Sequence, residues 1–273
     1  MITLNGTEYK LVLIDTNILS EVIKNKFQER SQLLTWTASH KSILCISPFT
    51  ILEIRNIPTI YEQFLELFST IPFIILKSHE QLLQNEVSVY PISENVNPVL
   101  IGFAGILSKA KPREVLEKAF NDKQILADEK YWNMGREQIV KGIKELVKNY
   151  PPENGKYTKK KIRDFVQLAG FQQIALRQSE FARSVINSGG IVEVDAFPSI
   201  KMTSLVVFHK FYVDARKPSI SDAFDIIIFA AVPYVDIVIG ENHFVAMLKK
   251  IKSQDSFINH VTAFNMKYLR SLK

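Results

Sequence analysis

The amino-acid sequence predicts an α/β fold with a mainly parallel central sheet, combined with a mainly α-helical insertion. The first observation is that short apolar runs alternate with longer segments of helical spacing near both ends of the chain. The second is that the middle of the chain has helical spacing and few strand signals. We therefore predict an N-terminal core segment at 1–78, a helical insertion at 79–203 and a C-terminal core segment at 204–273.

The predicted strands are short, rich in β-branched residues and bounded by polar residues. They are KLVLI (10–14), SILCIS (42–47), PFIILK (72–77), VDIVIG (235–240) and, as a last edge strand, VTAF (261–264). Helical patterns separate them, and the helix after the second strand is expected to open at Pro48, directly after Ser47. Strands that alternate with helices favour a parallel sheet.

Composition and charge limit the class of protein. Of the 273 residues, 47% are hydrophobic and 23% are charged, and the net charge of +6 is compatible with a polyanionic partner. The single cysteine, Cys45, cannot form an internal disulfide and lies in an apolar run, which favours a reducing compartment. The longest apolar run is broken by Pro233 and Asp236, and the first ten residues have no secretory pattern. We therefore expect a cytoplasmic location and no membrane partner.

Acidic residues occur where the predicted fold would bring them to one edge of the sheet. Asp15 directly follows the first predicted strand, and Glu241 follows the strand VDIVIG. Glu53 lies within the first two turns of the helix after SILCIS, near the same edge. Asp222 and Asp225 are three residues apart in the helical segment SDAFD, so that they share one face. Ligands bind at the carboxyl ends of strands in such sheets.

Each of these acids also has a simpler interpretation. Asp15 could cap the helix that follows it, and Asp222 could cap a helix that begins after Ser219. Glu53 could be an ordinary solvated helix residue. Asp225 is followed by the apolar run IIIFAA, so its helix is expected to be largely buried, where an acid needs a partner.

The case for a functional site therefore depends on the whole set of acids. Carboxylates gathered at one edge would repel one another unless a cation lay between them. Oxygen ligands of this kind suit Mg²⁺ or Mn²⁺, and such ions assist displacement at phosphorus. The sequence thus predicts a carboxylate-bound Mg²⁺ or Mn²⁺ cofactor.

Three blocks of the sequence resemble a PIN-domain ribonuclease: LVLIDTNIL, SPFTILEIRN and SDAFDIIIFAAVPYVDIVIGENHF. The resemblance implies a Rossmann-like three-layer sandwich, a carboxylate-bound Mg²⁺ or Mn²⁺ and endonucleolytic hydrolysis of RNA. Many members of the family are toxins of bacterial toxin–antitoxin pairs, and others process or degrade RNA. The candidate partners that the resemblance implies are therefore an RNA substrate, an antitoxin protein and a second copy of the chain.

In the first two blocks, Asp15 matches the first metal-binding acid of the family. Asn17 matches the polar residue that orients this acid, with Thr16 beside it. Glu53 matches the acid on the helix. The resemblance implies that Glu53 contributes to catalysis by holding a second ion or orienting the attacking water.

In the third block, the resemblance implies Asp225 as the main third ligand and Asp222 as an auxiliary one. Glu241 matches the fourth acid by its distance from Phe244. The family usually has Asp at this position, so Glu241 is a departure. The implied metal ligands are Asp15, Asp225, Asp222 and Glu241, and the implied catalytic residues are Asp15, Glu53, Asp225 and Glu241.

The predicted insertion carries a basic segment, KYTKKKIR, in which Tyr157 is followed by Lys159, Lys160, Lys161 and Arg163. Such a surface could neutralise phosphates and stack bases, so we assign it a candidate role in RNA binding. The alternative is a solvated helix face with no ligand.

Two other functions compete with a ribonuclease. A haloacid dehalogenase-type phosphatase also has an Asp after its first strand, but it needs a second acid two residues later, where this sequence has Asn17. A catalytically weak PIN-like module that binds or scaffolds nucleic acid is the stronger alternative, because Glu241 departs from the family pattern.

Overall fold

The computed structural model describes residues 1–4, 6–24, 28–92, 96–103, 112–153 and 157–271. The chain divides into two compact units, which we describe separately. The first unit comprises Met1–Ser78, Val99–Trp132 and Tyr234–Lys273, and the second comprises His79–Pro98 and Asn133–Pro233.

The first unit is built on a seven-stranded sheet. Its strands are β1 (Ile2–Leu4), β2 (Thr7–Ile14), β3 (Ser42–Ile46), β4 (Phe73–Leu76), β5 (Val99–Phe103), β6 (Ile237–Ile239) and β7 (Thr262–Phe264). The order along the sheet is β5-β4-β3-β2-β6-β7, and β1 pairs with the start of β2. Strands β4, β3, β2, β6 and β7 run parallel to one another, whereas β1 pairs antiparallel with β2 and β5 pairs antiparallel with β4. The predicted α/β fold with a mainly parallel sheet is therefore confirmed.

All five predicted strands are present, and two further strands were missed. Strand β5 lies inside the range predicted to be a helical insertion, and it extends the sheet by pairing with β4. It is a five-residue edge strand that contains Gly102, so its local sequence gives a weak signal. Pairing with a distant strand, rather than local periodicity, decides its structure.

Helices of the first unit cover the sheet. They are α1 (Thr16–Lys24), α2 (Gln28–Ser39), α3 (Pro48–Arg55), α4 (Pro58–Phe68), α6 (Pro112–Phe120), α12 (Asn242–Gln254) and α13 (Met266–Ser271), and the first ten residues of α7 (Lys123–Asn149) also belong to this unit. Val12 and Ile14 of β2 join a core cluster with side chains of α1, α2 and α4. Leu11 and Leu13, which point to the opposite face, are also buried. Burial on both faces is typical of a parallel strand.

The second unit is helical in the described residues. Its helices are α5 (His79–Val89), the rest of α7, α8 (Lys159–Arg177), α9 (Ser179–Asn187), α10 (Pro198–Phe208) and α11 (Ile220–Phe229). Helix α10 is buried almost all round and packs against α5, α8 and α11. Because α11 packs on α10, residues 204–233 belong to this unit, although the sequence assigned them to the C-terminal core segment. None of the helices in the described part of the chain is long and apolar enough to cross a membrane.

Candidate carboxylate sites

Asp15 and Glu241 lie at the ends of two neighbouring parallel strands. Ile14 of β2 is paired with Ile239 of β6, and the Asp15 N–H donates to the Ile239 carbonyl at 2.9 Å. Glu241 comes two residues after Ile239. Both acids therefore leave the sheet at the same edge, as the sequence predicted. Their role as ligands stays a prediction.

Asp15 lies between the end of β2 and the start of α1. Its carbonyl accepts the Leu19 N–H at 2.9 Å, which begins α1, and the residue is only 8% exposed. The next residue, Thr16, is buried, and its hydroxyl donates to Thr50 at 3.2 Å. Asn17 is exposed on the first turn of α1. A buried acid at a helix N-terminus is consistent with both interpretations of Asp15, as a cap and as a ligand.

Sequence reasoning missed Thr50, which lies on α3 and contacts Thr16. Helix α3 begins at Pro48 as predicted, and the Ser47 hydroxyl caps it by accepting the Phe49 N–H at 3.1 Å. Thr50 is fully buried. Its position three residues after a helix cap, inside the block SPFTILEIRN, is the signal that could have identified it. Its contact ties the start of α3 to the start of α1.

Glu241 directly follows Gly240, which packs closely against the aromatic ring of Phe244. A Cβ atom added to Gly240 would lie 3.1 Å from the ring of Phe244, which is buried. Only glycine fits there without displacing the ring. The Glu241 side chain is 38% exposed, and its Oε2 lies 3.2 Å from His243 Nδ1. Gly240 therefore packs closely against Phe244 directly before this acid.

The N-termini of three helices also lie at the carboxyl ends of these parallel strands. Helices α1, α3 and α12 each begin directly after β2, β3 and β6 respectively. A helix N-terminus carries a partial positive charge and favours anions, which include both carboxylates and phosphates. Glu53 is half-buried on α3 within two turns of its start, as predicted.

The two acids of α11 are already paired with a lysine. Lys210 Nζ donates to Asp222 Oδ1 at 3.0 Å and to Asp225 Oδ2 at 2.6 Å. The side chains of Lys210 and Asp222 are 1% exposed, and that of Asp225 is 39% exposed. The buried acid of this helix is therefore Asp222 and not, as the sequence suggested, Asp225, and both acids have their partner in an amino group of the same unit.

Asp222 also caps its own helix. Its Oδ2 accepts the Ser219 N–H at 2.9 Å and the Ser219 hydroxyl at 2.6 Å, while Arg216 lies 3.6 Å from Oδ1. Burial raises the pKa of Asp222, but hydrogen bonds from Ser219 and Lys210 outweigh it, and the pKa is lowered overall. The capping interpretation of Asp222 is therefore confirmed.

Sequence reasoning also missed Lys210. It lies in a π-helical turn, His209–Val213, that follows α10 and is closed by the Asp214 N–H donating to the His209 carbonyl at 2.9 Å. Such turns are rare and occur frequently at functional sites. The available signal was a single lysine in the largely apolar run SLVVFHKFYV, since a buried lysine needs an anion.

A metal ion needs several ligand atoms close together. Across the part of the chain that the structure describes, no three or more His, Cys, Asp or Glu side chains are grouped so that they could hold a metal ion. Mg²⁺, however, commonly uses only one or two carboxylates together with waters and substrate phosphates. Asp15 and Glu241 are two carboxylates at the ends of adjacent strands. Asp222 and Asp225 both accept hydrogen bonds from Lys210.

The basic cluster (Lys159, Lys160, Lys161 and Arg163) lies on the first turns of α8, in the second unit, and all four side chains are exposed. The Thr158 hydroxyl caps the helix by accepting the Lys161 N–H at 3.3 Å, and Lys161 pairs with Glu153. Lysines at a helix N-terminus are opposed by the helix dipole. Helix stability therefore does not account for them.

Cys45 is fully buried in β3, as predicted. Burial raises the pKa of its thiol to about 12, so the thiolate needed for nucleophilic chemistry is not formed near neutral pH.

Comparison of this chain with protein-family models, with curated proteins and with solved structures finds no match.

Proposed function

We propose that this chain is a metal-dependent endoribonuclease with a PIN-like site at the carboxyl edge of the central sheet. The observation that carries the proposal is the placement of Asp15 and Glu241 at the ends of adjacent parallel strands, β2 and β6. A paired-carboxylate site of this kind suits Mg²⁺ or Mn²⁺, and those ions serve phosphoryl chemistry.

The strand order supports the choice of this edge. Among the parallel strands the chain runs from β2 to β3 and β4 on one side, and then returns to β6 and β7 on the other. The order therefore reverses between β2 and β6. In open α/β sheets, ligands bind in the crevice at such a reversal, beyond the carboxyl ends of the strands. Asp15 and Glu241 flank that crevice.

The residues of the first unit suggest a division of labour. Asp15 and Glu241 would hold the metal ion, which when bound polarises the phosphodiester and activates water. Glu53, half-buried on α3, would orient the attacking water or accept its proton. The N-termini of α1, α3 and α12 would attract the phosphate of the substrate. Thr16 and Thr50 hold the starts of α1 and α3 together, so they position Asp15 and Glu53.

RNA is the proposed polymer because the chain is basic and because an exposed basic cluster opens α8. Lysines near backbone phosphates release counterions and so favour binding to polyanions. The cluster lies in the second unit, and we propose it as an RNA-binding surface that contributes affinity and does not take part in the chemistry.

A catalytically weak nucleic-acid-binding module is the second candidate function. One observation favours it: Lys210 donates hydrogen bonds to both Asp222 and Asp225, two of the four acids that the family resemblance assigns to metal. Such a module would bind RNA through the basic cluster and would hydrolyse it slowly or not at all. The two candidates differ in whether Asp15 is needed for cleavage.

The deciding experiment is RNA cleavage by purified protein in Mn²⁺, compared with EDTA and with two variants. Asp15→Asn removes one proposed ligand but keeps the shape of the side chain. Glu8→Gln is the matched control, because Glu8 is an exposed acid at the opposite end of the same strand. We expect Glu8→Gln to cleave as the wild type does and Asp15→Asn to lose cleavage by about 100-fold or more. Equal cleavage by the wild type, Glu8→Gln and Asp15→Asn would contradict the ribonuclease proposal.

A further inference from the structure

We propose that Lys210 takes the place of a metal ion between Asp222 and Asp225, so that these two acids bind no divalent cation. The inference rests on the proposed function, because it decides which of the acids implied by the family resemblance are metal ligands. It limits the metal to the Asp15 and Glu241 edge and predicts one bound ion per chain. Lys210, Arg216, Ser219, Asp222 and Asp225 all belong to the second unit.

The first step is geometric. Asp222 and Asp225 lie three residues apart on α11, so their carboxylates share one helix face. Lys210 Nζ is 3.0 Å from one and 2.6 Å from the other. An ammonium group that bonds both carboxylates occupies the position in which a shared cation would lie. Its hydrogen bonds replace the coordination that the two acids would otherwise offer.

The second step concerns the oxygens of Asp222. Oδ1 accepts from Lys210, and Oδ2 accepts both the N–H and the hydroxyl of Ser219. Three of the about four acceptor positions of this carboxylate are occupied, and Arg216 lies 3.6 Å from Oδ1, so a metal ion at Asp222 would have to compete with these donors. Removing a charged hydrogen-bond partner from a buried carboxylate is strongly unfavourable.

The third step concerns the lysine itself. Its side chain is 1% exposed, so an ammonium pushed aside by a metal would lie in the protein interior without these two carboxylates. Burial of an unpaired charge is disfavoured strongly enough to keep the pair together. A divalent ion would thus compete against an intramolecular cation that cannot diffuse away.

The fourth step is the charge of the cluster. Two acids, Asp222 and Asp225, meet two bases, Lys210 and Arg216, so the formal charges cancel. Carboxylates attract a divalent cation most strongly when they carry an unbalanced negative charge, whereas here the ion would meet a neutral cluster and a nearby ammonium.

The test is a Mn²⁺ titration by calorimetry of the wild-type chain and three variants. We expect Asp225→Asn to leave the Mn²⁺ affinity unchanged within error, and Asp15→Asn to weaken it by about ten-fold or more. Lys210→Met removes the ammonium but keeps an unbranched apolar side chain. If circular dichroism shows this variant folded, we expect one additional Mn²⁺ per chain, which the double variant Lys210→Met/Asp225→Asn loses.

Two outcomes would overturn the inference. One is an Asp225→Asn variant that loses Mn²⁺ as completely as Asp15→Asn does, in which case the proposed function would still stand. The other is a folded Lys210→Met variant that gains no Mn²⁺. If Lys210→Met does not fold, the comparison of Asp225→Asn with Asp15→Asn decides alone. A wild-type chain that binds no Mn²⁺ would count against the proposed function, and the gain in Lys210→Met would then decide the inference.

Discussion

Four of the five candidate site acids form two pairs that look alike in the sequence but have different contacts in the structure. The strand-end acids, Asp15 and Glu241, leave adjacent parallel strands where the order of the sheet reverses. The helix acids, Asp222 and Asp225, share one face of α11 and are bonded to a buried lysine. The first group belongs to the first unit, and the second group to the second unit.

The difference shows why a carboxylate cannot be assigned from its motif alone. An acid near the N-terminus of a helix can be a metal ligand, a helix cap or half of an ion pair. Its role depends on which positively charged group lies within bonding distance of its carboxylate. At α11 that cation is supplied by residue 210 of the chain itself. We therefore expect the helix acids to govern stability and the strand-end acids to govern activity.

The largest effect on stability is expected from Lys210→Ala. The variant leaves Asp222 buried without its ammonium partner, which costs about 3–5 kcal/mol for a buried pair. Urea unfolding at pH 7 measures the loss. Lys161→Ala is the control, because its pair with Glu153 has both side chains more than half exposed and contributes about 0–1 kcal/mol. Equal stability losses in the two variants would contradict the assigned role of Lys210.

A smaller loss of stability is expected from Gly240→Ala, which changes the residue before the strand-end acid Glu241. The new methyl group would lie 3.1 Å from the buried ring of Phe244, so the ring must shift slightly, and we expect a loss of about 1 kcal/mol. Because Glu241 is the next residue, we also expect weaker Mn²⁺ binding in calorimetry. Gly135→Ala is the control, since no atom lies within 4 Å of its added Cβ, and it should stabilise α7 slightly. Normal Mn²⁺ affinity in Gly240→Ala would argue against Glu241 as a ligand.

The helix acids also predict a pH dependence. The pKa of Asp222 is lowered in the folded chain from its ordinary value of 3.8, so its carboxylate stabilises the fold above that pH. This contribution is lost as the pH falls below 3.8 and through the lowered pKa. We expect the stability gap between wild type and Asp222→Asn in urea unfolding to be full at pH 7 and to shrink by pH 3. A gap that stays constant over this range would show that the charge of Asp222 is not what stabilises α11.

The smallest effect is expected from the basic cluster. Replacing Lys159 and Lys160 together with Ala should reduce the slope of log affinity against log salt by about 1.4 for single-stranded RNA. Lys161 is left in place because it is paired with Glu153. Filter binding over a range of salt concentrations measures the slope, and Lys249→Ala/Lys267→Ala is the control with two other exposed lysines. An unchanged slope in the Lys159→Ala/Lys160→Ala variant would show that the basic cluster is not part of the RNA-binding surface.

Much of the sheet could be predicted from the sequence because its buried strands are continuous and apolar. The run before Asp15 is one example, because its short length and β-branched residues favour a buried strand over a buried helix. The edge strand β5 could not be predicted, because a short segment that contains Gly102 becomes a strand only by pairing with β4.

The site was predictable only in part for a similar reason. Asp15 and Glu241 are placed by the ends of strands, which local patterns reveal. The pairing of Lys210 with Asp222 and Asp225 spans twelve and fifteen residues through a π-helical turn, and no local spacing rule encodes it. The sequence indicated that Asp225 needed a partner, but it could not show that the partner was a lysine.

The most direct measurement is to locate Mn²⁺ by anomalous scattering in crystals of the wild-type chain soaked with the ion. We predict one peak within coordination distance of Asp15 and Glu241, and no peak at Asp222 and Asp225, where the density should show the Lys210 ammonium. A peak at Asp225 with Lys210 displaced, or no peak at Asp15, would contradict the account.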